Sequence, residues 1–130
     1  MAKFQFVHPI LSVKNVNASI EHYTRVLGFS VAFTWPHDEP VKTFAGVCRG
    51  HVEIFLCQGA QGQPGTWMSI FVDDVDALFE EYKATNATIR QPPTTMPWGV
   101  REMNIEDPDG HRLRMSQASE RQADGVLEED

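Results

Sequence analysis

The sequence predicts an α+β protein built from two βαβββ modules whose sheets curve around a shared cleft. Three observations carry that prediction. Residues 13 to 23, Val-Lys-Asn-Val-Asn-Ala-Ser-Ile-Glu-His-Tyr, return at 72 to 82 as Val-Asp-Asp-Val-Asp-Ala-Leu-Phe-Glu-Glu-Tyr, ungapped, with an offset of 59 and five identities in eleven positions. Each copy reads as a capped helix, preceded by one strand-like run and followed by three more. A repeat of this length is too long for a solenoid unit, so the copies are two halves of one domain.

The elements follow in order. Phe4 to Val13 is rich in Phe, Val and Ile and reads as a strand, with Pro9 favouring an edge or a bulge. Asn15 or Asn17 can cap a helix over 18–27, which places Ile20, Tyr23 and Leu27 on one face, and Gly28 stops it. Phe29 to Thr34 is a second strand, and Trp35 to Pro40 is a proline-broken loop. Lys42 to Arg49 and Val52 to Cys57 make a hairpin around Gly50. Gln58 to Thr66, with three glycines and a proline, reads as the linker between halves.

The second half repeats the order. Trp67 to Val72 is a strand, Asp74 caps a helix from Val75 to about Thr85, and Thr88 to Arg90 is a short strand. A loop rich in proline and threonine follows at 91–97. Val100 to Glu106 and Arg112 to Ser116 close the module around the turn Asp107-Pro-Asp-Gly110. One domain therefore spans 1–117, with modules at about 4–57 and 67–117, and the acidic tail 118–130 is expected to be disordered.

Composition narrows the function classes. The net charge of −7 disfavours nucleic acid as a partner, because phosphate backbones are bound by clustered Lys and Arg. No apolar run approaches the length that spans a bilayer, and Met1 to His8 lacks the apolar core of a signal peptide, so a cytoplasmic protein without membrane contact is expected. In that compartment Cys48 and Cys57 are expected to be reduced.

Strand alternation assigns the faces. Val52, Ile54 and Leu56 pack under a helix, which turns His51, Glu53, Phe55 and Cys57 to the opposite face; Trp67, Ser69, Phe71, Arg112 and Arg114 lie opposite the helix in the second module. The cleft should then present aromatic rings, a carboxylate and arginines. Glu53 stands out, since a carboxylate amid Val52, Ile54, Phe55 and Leu56 needs water, a cation or a metal. The offset of 59 pairs His8 with Trp67; aligning the hairpin turns at Gly50 and Gly110, with one extra residue before the matching position, pairs Glu53 with Arg114.

His8-Pro-Ile-Leu-Ser-Val through the helix to Leu27-Gly-Phe29 resembles the opening of the vicinal oxygen chelate superfamily, which includes glyoxalase I, extradiol dioxygenases, fosfomycin-modifying enzymes and bleomycin resistance proteins. The Val72-Asp-Asp-Val-Asp-Ala77 helix start and Asp107-Pro-Asp-Gly110 resemble its second module, so the likeness covers about residues 4–117. The resemblance implies the glyoxalase/bleomycin resistance fold and a homodimer whose chains can exchange N-terminal segments. In metal-dependent members the ligands come from the first and last strands of each module, positions held here by His8, Glu53, Trp67 and Arg114. His8 and Glu53 are competent ligands, whereas Trp67 offers no lone pair and Arg114 is a permanent cation. An ion pair between Glu53 and Arg114 is expected where the metal would sit, so no cofactor is expected.

The pattern is closest to the metal-free, bleomycin-resistance-like branch. Met96-Pro-Trp-Gly-Val-Arg-Glu102 resembles a segment before the closing hairpin of those proteins. A small aromatic or antibiotic-like ligand, bound and sequestered in a dimer groove, would meet His8, Phe33, Trp35, Glu53, Phe55, Trp67, Ser69, Phe71, Trp98, Glu102 and Arg114. Glu53 and Glu102 suit a cationic ligand; Arg101, Arg112 and Arg114 suit an anionic or carbonyl-rich one. The alternative is a metal-dependent lyase, isomerase or dioxygenase, in which His51, Cys57, Glu102 or His111 supplements His8 and Glu53 as ligands. A third reading, a metal-free enzyme with His8 or Glu53 as general base, lacks an acid or nucleophile partner at recognisable spacing.

Overall fold

The computed structural model describes residues 1–59 and 61–118; the expected disorder of the acidic tail concerns residues outside that range from 119 onward. The chain divides into two compact units, Met1–Pro64 and Gly65–Asp130, each built as a βαβββ module. None of the described helices is long and apolar enough to cross a membrane.

In the first unit β1 (Ile10–Val13) leads into α1 (Val16–Glu21), which continues as a π-helical stretch at His22–Val26. Then come β2 (Ser30–Trp35), β3 (Phe44–Arg49) and β4 (Val52–Gln58), and the sheet order is β1-β4-β3-β2. The second unit has β5 (Trp67–Phe71), α2 (Val75–Ala84), β6 (Thr88–Thr95), β7 (Arg101–Glu106) and β8 (Arg112–Gln117), in the order β5-β8-β7-β6. In each sheet the first and last strands of the module run parallel side by side, and the other pairings are antiparallel.

The repeated stretch forms matching helix starts. Asn15 Oδ1 accepts from the Ala18 N–H at 2.9 Å, and Asp74 Oδ1 accepts from Ala77 at 3.0 Å, one side-chain oxygen satisfying one orphan donor in each first turn. A second cap was not foreseen. Gln58 Oε1 accepts from the Val16 N–H at 3.1 Å, and Gln117 Oε1 from Val75 at 3.0 Å. Gln58 thus ends β4 and caps α1 rather than opening the linker. Gly28, at φ 79°, closes the first helical segment as expected.

Three elements differ from expectation. The first strand is shorter: only Ile10–Val13 belongs to β1, although the Pro9 carbonyl still accepts from the Phe55 N–H at 2.9 Å. The first helix starts earlier, at Val16, because Asn15 is the cap; Asn17 instead holds the 36–42 loop, donating to the Pro40 carbonyl and accepting from the Lys42 N–H. The strand expected to stop at Arg90 continues to Thr95 through Pro92 and Pro93. It is an edge strand with register shifts on both sides of Gln91, so prolines that lack an N–H interrupt few ladder bonds.

Each helix covers one sheet face. In the first unit Val16 and Tyr23 pack with Leu11, Val13, Ala45, Val47, Ile54 and Leu56, all buried. In the second, Val75, Leu78 and Tyr82 pack with Met103, Ile105, Leu113 and Met115. The repeat mates Tyr23 and Tyr82 are the largest fully buried side chains, so the duplicated pattern marks equivalent core positions. Both cysteines are free, as expected, and sit opposite Glu53 and Phe44 in the ladder rather than opposite each other.

Candidate ligand-binding faces

The face of the first sheet away from α1 is aromatic. Phe55 lies opposite Gly46, which lies opposite Phe33, and Cys57 opposite Phe44, which pairs with Trp35. The Phe33, Phe44 and Phe55 rings form a cluster with centroids 5.4–5.9 Å apart, edge-on or stacked. Such contacts add about 0.5–1.5 kcal/mol per pair beyond area burial. His8 extends the cluster, its ring 4.7 Å from that of Phe55 and 5.0 Å from that of Phe6. The face can close over itself because Gly46 has no side chain: a Cβ there would collide with the Phe33 ring and come within 3.1 Å of Glu53 Oε2. Phe33 and the Glu53 carboxylate therefore share the space above Gly46. Trp35 ends β2 rather than sitting in a loop, half-exposed, with its ring 5.2 Å from His37.

The equivalent face of the second sheet is polar. Its rows are Trp67, Arg112 and Glu106; Ser69, Arg114 and Asn104; and Phe71, Ser116 and Glu102. Alternation assigned Trp67, Ser69, Phe71, Arg112 and Arg114 to this face, and the register agrees. Glu106 forms a two-point ion pair with Arg90, at 3.0 and 3.1 Å, and accepts from Arg112 Nε at 2.8 Å. Hydrogen bonds from Arg90 first, then Arg112, hold its carboxyl below the usual range. Arg112 in turn lies 5.3 Å from the Trp67 ring, a cation–π contact on a side chain that is 60% exposed. Arg101 is on the other face of β7, where two 2.9 Å hydrogen bonds join it to Asp76 in the first turn of α2.

The register corrects one pairing. Ile10 is level with Phe55 and Ser69 with Arg114, so the offset of 59 runs unbroken through the last strands. Phe55 is therefore the mate of Arg114, and Glu53 is the mate of Arg112, two residues earlier than aligning the turns at Gly50 and Gly110 places it. Within its own sheet Arg114 Nε lies 3.5 Å from Glu102 Oε2. Glu102, expected as an available counter-charge, is 4% exposed and also accepts from the Ser116 hydroxyl at 3.5 Å. Burial beside a cation and a hydroxyl makes it an internal partner.

With that correction the positions implied for a metal are His8, Glu53, Trp67 and Arg112. This donor set does not fit a divalent ion: two positions offer no lone pair, one is a guanidinium already stacked on the other, and a catalytic zinc wants three protein ligands. Among the described residues no group of three or more His, Cys, Asp or Glu is placed to hold a metal. His111, considered as a supplementary ligand, is fully buried, and its Nδ1 accepts from the Thr66 N–H at 3.0 Å.

Trp98 sits on a turn closed by the Gly99 N–H to the Met96 carbonyl at 3.0 Å, and is 60% exposed. Phe71 is likewise exposed at the end of β5. The structure thus brings together His8, Phe33, Glu53 and Phe55 on the face of the first sheet, and Trp67, Ser69, Phe71, Glu102 and Arg114 on that of the second, with Trp35 at the end of β2 and Trp98 on the turn between β6 and β7. Asn104 and Arg90 were not foreseen. The alternation Glu102, Asn104, Glu106 against Met103 and Ile105 carried a signal for the first.

A duplicated βαβββ chain, with the first and last strands of each module side by side, defines the class of this protein. The chain belongs to the Glyoxalase/Bleomycin resistance protein/Dioxygenase superfamily, whose sequence profile matches residues 5–115. Among its relatives is the uncharacterised protein YwbC of Bacillus subtilis, 32% identical over 120 residues that cover 85% of this chain and 94% of YwbC. A probable lactoylglutathione lyase of Vibrio cholerae is 26% identical over 128 residues, 90% of this chain and 93% of that one. Among solved structures, the bleomycin-binding protein of bleomycin-producing Streptomyces verticillus, complexed with copper(II)-bleomycin, matches with a TM-score of 0.72 at 28% identity, covering 92% of this chain and 100% of the other.

Proposed function

We propose that this protein binds and sequesters a small aromatic or antibiotic-like molecule in the cytoplasm, without a metal, in a groove shared by two copies of the chain. The observation that carries the proposal is the Arg112–Trp67 contact: where metal-dependent relatives of the family would place ligands, the second module has a stacked cation and an indole. The aromatic face formed by Phe33, Phe44, Phe55 and His8 supports a flat, apolar ligand. Likeness to a bleomycin-binding protein agrees with it. Dimerisation is supported by the exposed Phe4, Phe6 and Val7, a run of apolar surface that single soluble chains rarely leave uncovered.

The test is a titration with an antibiotic that carries a flat aromatic group, such as bleomycin, followed by tryptophan emission and by recovery of the ligand. Quenching with unmodified ligand is expected, with binding weakened several-fold in Trp98→Ala. In parallel, calorimetry with zinc or nickel is expected to show no tight stoichiometric binding. Stoichiometric metal uptake, or a chemically altered ligand, would move the protein to the second reading, a metal-dependent lyase, isomerase or dioxygenase. That reading draws on His8 and Glu53, both on the aromatic face, and on likeness to a probable lactoylglutathione lyase.

A further inference from the structure

The middle row of the second sheet contains a hydrogen-bonding deficit. Asn104 is 9% exposed, and its Nδ2 donates to Gln91 Oε1 at 3.3 Å while its Oδ1 is buried without a partner. Arg114, directly opposite in the ladder, has a buried Nε that makes no hydrogen bond, although its Nη2 reaches Ser69 Oγ at 3.3 Å. Its nearest carboxylate, Glu102, lies 3.5 Å from that Nε, outside hydrogen-bonding geometry, and also takes the Ser116 hydroxyl. A buried acceptor and a buried donor, each unsatisfied and carried by residues level with one another across one ladder step, are costly to leave so.

We propose that this pair is a recognition site for an amide group of the ligand, a primary carboxamide or a ureido group, with the ligand N–H donating to Asn104 Oδ1 and its carbonyl accepting from the Arg114 guanidinium. One planar group carrying a donor and an acceptor on the same edge answers both deficits. An amide is called for because the Asn104 orphan is an acceptor, its Nδ2 being taken by Gln91 Oε1, while Arg114 offers donors only. A carboxylate would satisfy Arg114 but add a charge beside Glu102 and leave the Asn104 acceptor unmet. A ketone would answer only one of the two. The inference rests on the ligand-binding reading above and refines it, naming an amide as the group that the polar face of the second sheet would take.

The test uses the full chain, labelled with nitrogen-15, and three probes that share a ring: benzamide, acetophenone and benzoate. Benzamide is expected to bind about tenfold more tightly than acetophenone, because an unmatched buried polar group is what the ketone leaves behind. It is also expected to shift the Asn104 side-chain amide and Arg114 Nε resonances in the unmutated protein. Asn104→Leu should abolish the preference while leaving acetophenone binding within about twofold. Should that variant fail to fold, the resonance shifts in the unmutated chain still decide. Equal affinities for benzamide and acetophenone, a preference for benzoate, or shifts that avoid Asn104 and Arg114 would overturn the amide site and leave the aromatic-ligand reading standing. If none of the three probes shifts a residue of either face, both fall together.

Discussion

Gly46 lies in the middle of β3, away from any turn, yet the aromatic face depends on it. Its missing side chain is the space that the Phe33 ring and the Glu53 carboxylate occupy. Gly46→Ala is expected to cost about 1–3 kcal/mol in denaturant unfolding, the ordinary penalty for forcing an extra methyl into a filled space. It should also displace the Phe33 ring, visible as a change in its cross-peaks to Phe55. Nothing local announced this role, since a glycine inside a strand signals only that some close approach occurs. By contrast, the aromatic character of Phe33 and Phe55, and the outward facing of Trp67 and Ser69, were readable from alternation alone.

At the level of the element, the two glutamines at the ends of β4 and β8 tie each last strand to its module's helix. The amide oxygen of Gln58 meets the first helical N–H of α1, and that of Gln117 meets the first of α2. Removing either, as Gln58→Ala or Gln117→Ala, is expected to destabilise the protein by about 1 kcal/mol, with an unchanged slope in urea. The two substitutions should be additive, because each bond lies within its own module. These residues are 59 apart like the other mates, so the repeat contained them. They escaped notice because Gln58 stands next to a glycine-rich run and looked like linker. The helix boundary was misplaced for a similar reason: Asn15 and Asn17 are equally good caps by type, and only the fold around Lys42 and Pro40 assigns Asn17 to the loop.

Across the whole molecule, acid sensitivity should originate in the second module. Hydrogen bonds from Arg90 and Arg112 lower the Glu106 pKa, and those from Arg101 lower that of Asp76. The unfolded carboxyls therefore take up protons first as pH falls, so the stabilisation is complete above the ordinary carboxylate range and is lost on descending through the folded pKa values. Glu106→Gln should accordingly destabilise the protein at pH 7 and progressively less towards pH 3, as read by thermal melting. Equal destabilisation at both pH values would count against the assignment. Sedimentation tests the proposed pairing of chains: a dimer is expected, weakened when Phe4 and Phe6 are replaced by serine, since their exposed rings are the surface that a second copy would cover.

The sequence by itself determined the duplicated architecture, the Asp74 cap, the inward sets of β4, β5 and β8, and the family. These follow from periodicity and from side chains acting on backbone within a few residues. Tertiary structure decided the rest, because it depends on which residues stand level across strands. The register moved the mate of Arg114 from Glu53 to Phe55, set Arg112 over Trp67, and assigned Glu102 to Arg114 as an internal partner. Chain-order spacing cannot see such pairings, for a slip of one residue in a hairpin exchanges the faces of a strand while leaving its composition untouched.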